Sequence, residues 1–471
     1  MTFNSFNFII VFPLLFLLYY AIPARYGKGR NLFLLVASYL LYMQWKPIYA
    51  LVLLVVTGVT YLTALRLNQS RHPRALLTAG VILSLLPLLL FKYFNFLNEA
   101  LSGLLSMAHL QFHLPGLNWA IPVGISFFTL QALGYLWDVY YKRQEVEHDF
   151  LTYALFVSFF PSITSGPINK ASLVIPQLKG IRPYFDSVKA VEGLRMLLWG
   201  MFMKVVVADR IAIYVDTVYS HYMNYTGMTC LVAIILFAIQ IYADFAGYSL
   251  MALGVARVFG LELTENFRRP FFATSVADLW RRWHISLFNW LKDYIYIPLG
   301  GSRCSMWRNY FNILVTFIVS GIWHGANWTF VIWGAMLGVF MSIEKAFGWQ
   351  RCTGGAWVKL FRVFLTFGAF CAALVFFRMP TVGDGIGVYA RIFDFSLPMS
   401  VYFDWVPNFP FTVMGITLLL LKDLRDEYYP QRFPLMLNSR VAVRWTTYFL
   451  LVVLILLAGV LDSDQFIYNQ F

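Results

Sequence analysis

Long apolar runs recur from one end of this chain of 471 residues to the other, and no other feature limits its folding as strongly. Many are roughly 18–25 residues long, enough for an α-helix to cross the hydrocarbon core of a bilayer. Candidate spans lie near 6–22, 31–65 (a pair), 76–97, 119–140, 151–165, 193–215, 228–256, 310–347 (a pair), 358–377, 409–421 and 445–461, about twelve hydrophobic elements in all. A soluble chain could not hide them: 60% of residues are hydrophobic, 13% are charged, and the mean hydropathy is +0.66. In hydrocarbon every backbone polar group must be bonded within the protein, which leaves helices or a closed barrel. A barrel would show short alternating segments instead. The sequence therefore predicts an all-α polytopic membrane protein, a single integral domain over 1–471. Its core is expected at 119–347, with a C-terminal span at 445–461 and a tail at 462–471.

Charge sets the expected orientation. The first apolar segment has no basic residue ahead of it, no small-residue cleavage site behind it, and Arg25, Lys28 and Arg30 after it. It reads as a retained span with its N-terminus outside, because basic loops stay in the cytoplasm. Arg440 and Arg444 precede the last span and no Lys or Arg follows it, so the C-terminus is expected outside too. The net charge of +13 is assigned to cytoplasmic loops facing anionic lipid, and no nucleic-acid partner is expected. Cys230, Cys304, Cys352 and Cys371 are scattered without a CxxC, so neither a disulfide framework nor a thiolate metal site is expected.

Two basic loop regions stand out, 164–192 and 262–309. In the second, Ser275 and Asp278 have the spacing of a helix-capping box, and Pro298 with Gly300 and Gly301 marks an end. Between them Trp280, Trp283, Leu287, Trp290 or Leu291, and Tyr294 recur at helical spacing. This predicts one helix whose aromatic face carries His284. Four charges in its body argue for an interfacial or re-entrant element.

The run 310–347 is too long for one span and too short for two well-separated ones, so it is expected to break at "SGIWHGAN". Gly321 and Gly325 form a G-x-x-x-G that permits close helix contact. An ionisable residue at such a break, His324, is a functional candidate. Burial disfavours the imidazolium, and the neutral imidazole can accept a proton as a general base. A core histidine bonded to a neighbouring carbonyl is the alternative. His72, His109, His113, His148 and His221 fall in or beside loops. There is no H-x-x-x-x-D, G-x-S-x-G, P-loop, H-E-x-x-H or DHHC pattern. No serine or cysteine nucleophile and no metal site is therefore expected.

"FRRPFFATSVADLWRRWHISLFNWLKDYIYIPLGGSR" followed by "GIWHGANWTFVIWG" resembles the membrane-bound O-acyltransferase (MBOAT) superfamily. The closer likeness is to its bacterial branch that acetylates alginate and cellulose. "LFKYFNF", "IPVGISFFTLQALGY", "FFPSITSGPI", "YADFAGYSLMALG" and the final "FIYNQF" follow that branch in order. The resemblance implies a ring of helices around a central tunnel in a bacterial inner membrane. It also implies acetyl transfer from a cytoplasmic thioester, acetyl-CoA, toward O-acetylation of an extracellular polysaccharide. No bound cofactor is implied. The expected partners are a periplasmic SGNH-type acetyltransferase, the polysaccharide synthesis and export complex, and membrane lipid.

The resemblance makes His324 the catalytic histidine and His284 the second characteristic one, with Trp323, Asn327 and Asp244 in supporting positions. Arg268, Arg269, Arg281, Arg282 and Lys292 would meet donor phosphates, or else snorkel to the membrane surface. Tyr468, in F-x-Y-x-x-F, would be an acyl relay or an interfacial aromatic anchor. One departure is Leu250, where close alginate relatives carry an acidic residue, so the alginate system is not assigned by resemblance alone. Acyl transfer to peptidoglycan, teichoic acid or a lipid is a second reading. A transporter or a scaffold without chemistry is a third, although no inverted repeat is apparent.

Overall fold

The computed structural model describes residues 3–110, 114–180, 184–351, 354–396, 398–403, 409–432 and 434–461. Among them all regular structure is helical. The helices are α1 (Phe6–Ala21), α2 (Gly27–Met43), α3 (Tyr49–Leu67), α4 (Pro73–Met107), α5 (Ile125–Tyr140), α6 (Phe150–Ser158), α7 (Ala171–Lys179), α8 (Ser187–Met201), α9 (Asp209–Ser220) and α10 (Gly227–Val258). Then follow α11 (Val276–Arg282), α12 (Ile285–Leu291), α13 (Met306–His324), α14 (Trp328–Ala346), α15 (Ala356–Arg378), α16 (Val382–Ile392), α17 (Phe409–Tyr428) and α18 (Val441–Ala458). Six of them, α3, α4, α10, α14, α15 and α18, are long and apolar enough to cross a bilayer. Length and composition do not single out the twelve elements expected, because several apolar segments fold as shorter helices.

The described residues form two compact units, one within 7–193 with 252–264, the other within 3–6, 194–251 and 265–461. In the first, several buried polar side chains bond to the backbone. Gln131 donates to Phe156 O (2.6 Å) and accepts from Asn169 N (2.9 Å), and Asn169 in turn accepts from Thr264 N (3.0 Å). The fully buried Arg30 donates to Ile22 O and Tyr184 O and lies over the Tyr19 ring, which compensates the cost of burying its charge.

The second unit holds every sequence-predicted site residue that is described. Its chief device is the α13–α14 hairpin. The long apolar run breaks where expected, with Gly325 extended and Asn327 capping α14 through Thr329 N (3.1 Å). The two helices touch backbone to backbone. A Cβ on Gly321 would lie 2.1 Å from Phe330 O, and one on Gly334 2.3 Å from Phe317 O. Only hydrogen fits at these two positions, and such close contact is what associates helices in lipid.

The expected single helix from Ser275 is corrected to two. Ser275 caps α11 as its spacing predicted, accepting from Asp278 N (2.9 Å). The helix then stops at Arg282, and His284 adopts the left-handed conformation (φ 43°, ψ 50°) before α12 begins. Backbone bonds from segment 266–268 cross this joint, Arg268 N to Arg282 O (2.8 Å) and Ile285 N to Asn266 O (2.9 Å). They hold a conformation that a non-glycine residue rarely adopts. The carboxylate of Glu344, in the last turn of α14, accepts from Val276 N (2.8 Å) and Ala277 N (3.0 Å). It thereby satisfies the first free N–H groups of α11.

Candidate active site

The left-handed turn decides where His284 points. Its Nδ1 lies 3.2 Å from Asn266 Oδ1, and both residues are 1% exposed. The orientation of that amide follows from its neighbours. Ser286 N (3.2 Å) and Ser286 Oγ (2.8 Å) donate to Oδ1, while Asn266 Nδ2 donates to Ser249 Oγ (3.0 Å). Oδ1 is therefore an acceptor, so Nδ1 must carry hydrogen and Nε2 is the basic nitrogen of the neutral ring. This joint lies outside the six candidate spans, and burial pushes the imidazole down to about 3. His284 is neutral at any physiological pH.

His324 is the last residue of α13 and is 5% exposed. Its ring stands 6.3 Å from that of His284, centroid to centroid. Trp323 bridges the pair, 4.9 Å from His324 and 5.8 Å from His284. Trp333 (5.1 Å) and Phe377 (5.4 Å) close in on His324, and Phe245 (4.6 Å) on His284. Two imidazoles thus lie close together among aromatic rings at the break of the helical hairpin. At 5% and 1% exposure they are shielded from bulk water, which would otherwise compete for a proton taken up there.

The remaining predicted residues are dispersed. Asn327 caps α14 and donates to Pro380 O (2.8 Å), which is a structural role. Asp244 meets Lys204 Nζ (2.8 Å), which also contacts Asp209 (2.7 Å), and all three are buried. A close backbone crossing sets this up, since a Cβ on Gly200 would lie 2.6 Å from Gly247 O. The basic residues expected to meet donor phosphates carry protein partners. Arg282 bridges Asp278 (3.1 Å) and Glu427 (2.8 Å), and Arg269 joins the same Glu427 (2.8 Å). Arg268 pairs with Glu265 (2.6 Å), Arg281 donates to Ala277 O (3.1 Å), and Lys292 contacts Asn289 (3.2 Å). Tyr468 and the tail 462–471 lie outside the described residues.

Sequence reasoning missed Asn266, Lys204 and Glu344. Lys204 was visible as a lone charge in "GMFMKVVVA", a signal that an intramembrane partner exists. Asn266 carried no such signal, because its role depends on a turn eighteen residues away. Replacing Asn266 by Leu is expected to remove the acceptor that the Ser286 amide and the His284 Nδ1 hydrogen share, at roughly 1–3 kcal/mol for a buried hydrogen bond lost in this way. A detergent melting curve should show a lowered midpoint, and Asn266→Asp, which keeps the acceptor oxygen, should recover most of it. Equal midpoints for the Leu variant and the unaltered protein would refute the assignment.

A sequence model described as MBOAT, the membrane-bound O-acyltransferase family, matches residues 140–380, which contain both histidines. The probable alginate O-acetylase of Azotobacter vinelandii is 34% identical over 401 residues, 84% of this chain and 79% of that one. That of Pseudomonas putida is 31% identical over 100% of this chain and 99% of its own. The peptidoglycan O-acetyltransferase of Helicobacter pylori is 33% identical over 82% of this chain and 78% of its own. With similarity of this extent, the chain belongs to the membrane-bound O-acyltransferase family, and it is a membrane-embedded, multi-pass acyltransferase.

Proposed function

We propose that the protein takes acetyl groups from a cytoplasmic thioester, acetyl-CoA, and passes them outward for O-acetylation of an extracellular polysaccharide of the alginate or cellulose kind. The observation that carries this reading is the pair of buried histidines 6.3 Å apart at the hairpin break. His324 is the general base. It takes the proton of the accepting hydroxyl while that oxygen attacks the thioester carbonyl. His284, fixed as the Nδ1–H tautomer by Asn266, offers a second neutral nitrogen beside it. Tyr468 serves as the exterior acyl relay, and a periplasmic SGNH-type acetyltransferase, working with the polysaccharide synthesis and export complex, completes transfer to sugar. The protein sits in the inner membrane with both termini outside.

Acetylation of peptidoglycan is the second reading, favoured by the likeness to the Helicobacter pylori relative. One experiment separates the two. Cells with and without the gene are fed labelled acetate, and base-labile acetate is measured in the secreted polysaccharide and in the purified wall. Loss from the secreted polymer supports the proposal, and loss from the wall alone transfers it to the second reading. An unchanged acetate content in both fractions rejects it.

A further inference from the structure

Trp333 packs edge-on against His324, with ring centroids 5.1 Å apart and planes at 86°. It is 2% exposed, and its indole Nε1–H has no acceptor among the described residues. Trp280, 3% exposed and 6.1 Å from Trp333, carries a second indole N–H in the same condition. Buried donors are almost always paired, and an exception next to a reactive group calls for an explanation. Phe377 touches both His324 and Trp333 and offers no polar atom. Of the two indoles, only that of Trp333 packs against His324, so it is the unclaimed donor nearest to an oxygen that arrives beside the imidazole.

The chemistry says which oxygen that is. The accepting hydroxyl must give its proton to the imidazole, so its oxygen is engaged with His324. The other oxygen of the reacting pair is the acyl carbonyl. Indole N–H is a donor only, which suits a carbonyl oxygen that becomes negative. We propose that the Trp333 indole N–H hydrogen-bonds the acyl carbonyl oxygen and stabilises the oxyanion formed on it. In the step, the hydroxyl oxygen bonds to the carbonyl carbon, its proton moves to His324, and the C=O electron pair shifts onto oxygen beside Trp333. The pair then returns, the C–S bond breaks, and the thiolate takes the proton from His324. Trp333 donates a hydrogen bond throughout and exchanges no proton.

This rests on the reading of His324 as the base, so His324→Ala is assayed in parallel. Trp333 is replaced by β-(3-benzothienyl)-alanine, which keeps the ring shape and loses only the N–H, and separately by Phe. The initial rate of base-labile acetate formation in envelope and secreted polymer is measured after a pulse of labelled acetate, at matched membrane level. The benzothienyl variant is expected to lose about 10²-fold in rate, as when one oxyanion donor is removed elsewhere, with an unchanged melting midpoint. The same substitution at Trp280 is expected to lose less. A Trp333 benzothienyl variant within about twofold of the unaltered protein, or a larger loss at Trp280, overturns the assignment. If His324→Ala also keeps its rate, the reading of the base falls with it. If His324→Ala is inactive and the benzothienyl variant is not, only the role of Trp333 falls.

Discussion

His324→Ala is expected to abolish acetyl transfer while leaving the polymer and the membrane level of the protein intact. A positioned general base contributes about 10²–10⁴-fold to such a reaction. The side chain lies at the end of α13 and not in the glycine contact that joins α13 to α14, so truncation leaves the hairpin closed. The cavity left is ringed by Trp323, Trp333 and Phe377, and its cost is that of a lost aromatic contact. O-acetyl content, polymer yield and membrane level are the three readouts. Acetate lost with polymer still made fits a base. Unchanged acetate removes His324 from the chemistry. Loss of the polymer as well would favour transport or scaffolding over catalysis.

The break at His324 was legible because it is local: glycines interrupt an apolar run that no single span accommodates, and the physics of lipid does the rest. The cap at Ser275 was legible for the same reason. His284 was found but its setting was not. Helical periodicity runs straight through Trp280, Trp283, Leu287 and Trp290, and nothing in that pattern reveals a left-handed turn at His284. The turn is held by backbone bonds from residues 266–268, outside the periodic segment. The arginines were read as groups that meet donor phosphates or snorkel to the membrane surface, and their protein partner was not visible: Glu427 lies far along the chain and takes both Arg269 and Arg282. Residue type announces what a group can do, and only tertiary contact shows what it is already doing.

That distinction matters most for the cluster of Asp244, Asp209 and Lys204, where the largest stability effect is expected, at Lys204. Read from sequence, Asp244 was a supporting residue of the site. In the fold, two buried carboxylates, Asp244 and Asp209, share the single ammonium of Lys204 at 2.8 and 2.7 Å. The three groups are not equivalent. Replacing Lys204 by Met removes the ammonium that both buried carboxylates contact, and breaking a buried pair this way costs about 3–5 kcal/mol. A loss of that size is a large share of the stability of an ordinary domain. The variant is expected to fall sharply in membrane level and in detergent melting midpoint. Asp244→Asn is expected to cost far less, because Lys204 and Asp209 remain as a one-to-one pair. Lys204→Met at the unaltered midpoint would refute the ion cluster as a structural element. Equal losses from both substitutions would refute the sharing. Asp244→Asn that folds normally and still transfers acetyl groups would also show that the charge of Asp244 is not needed for the chemistry.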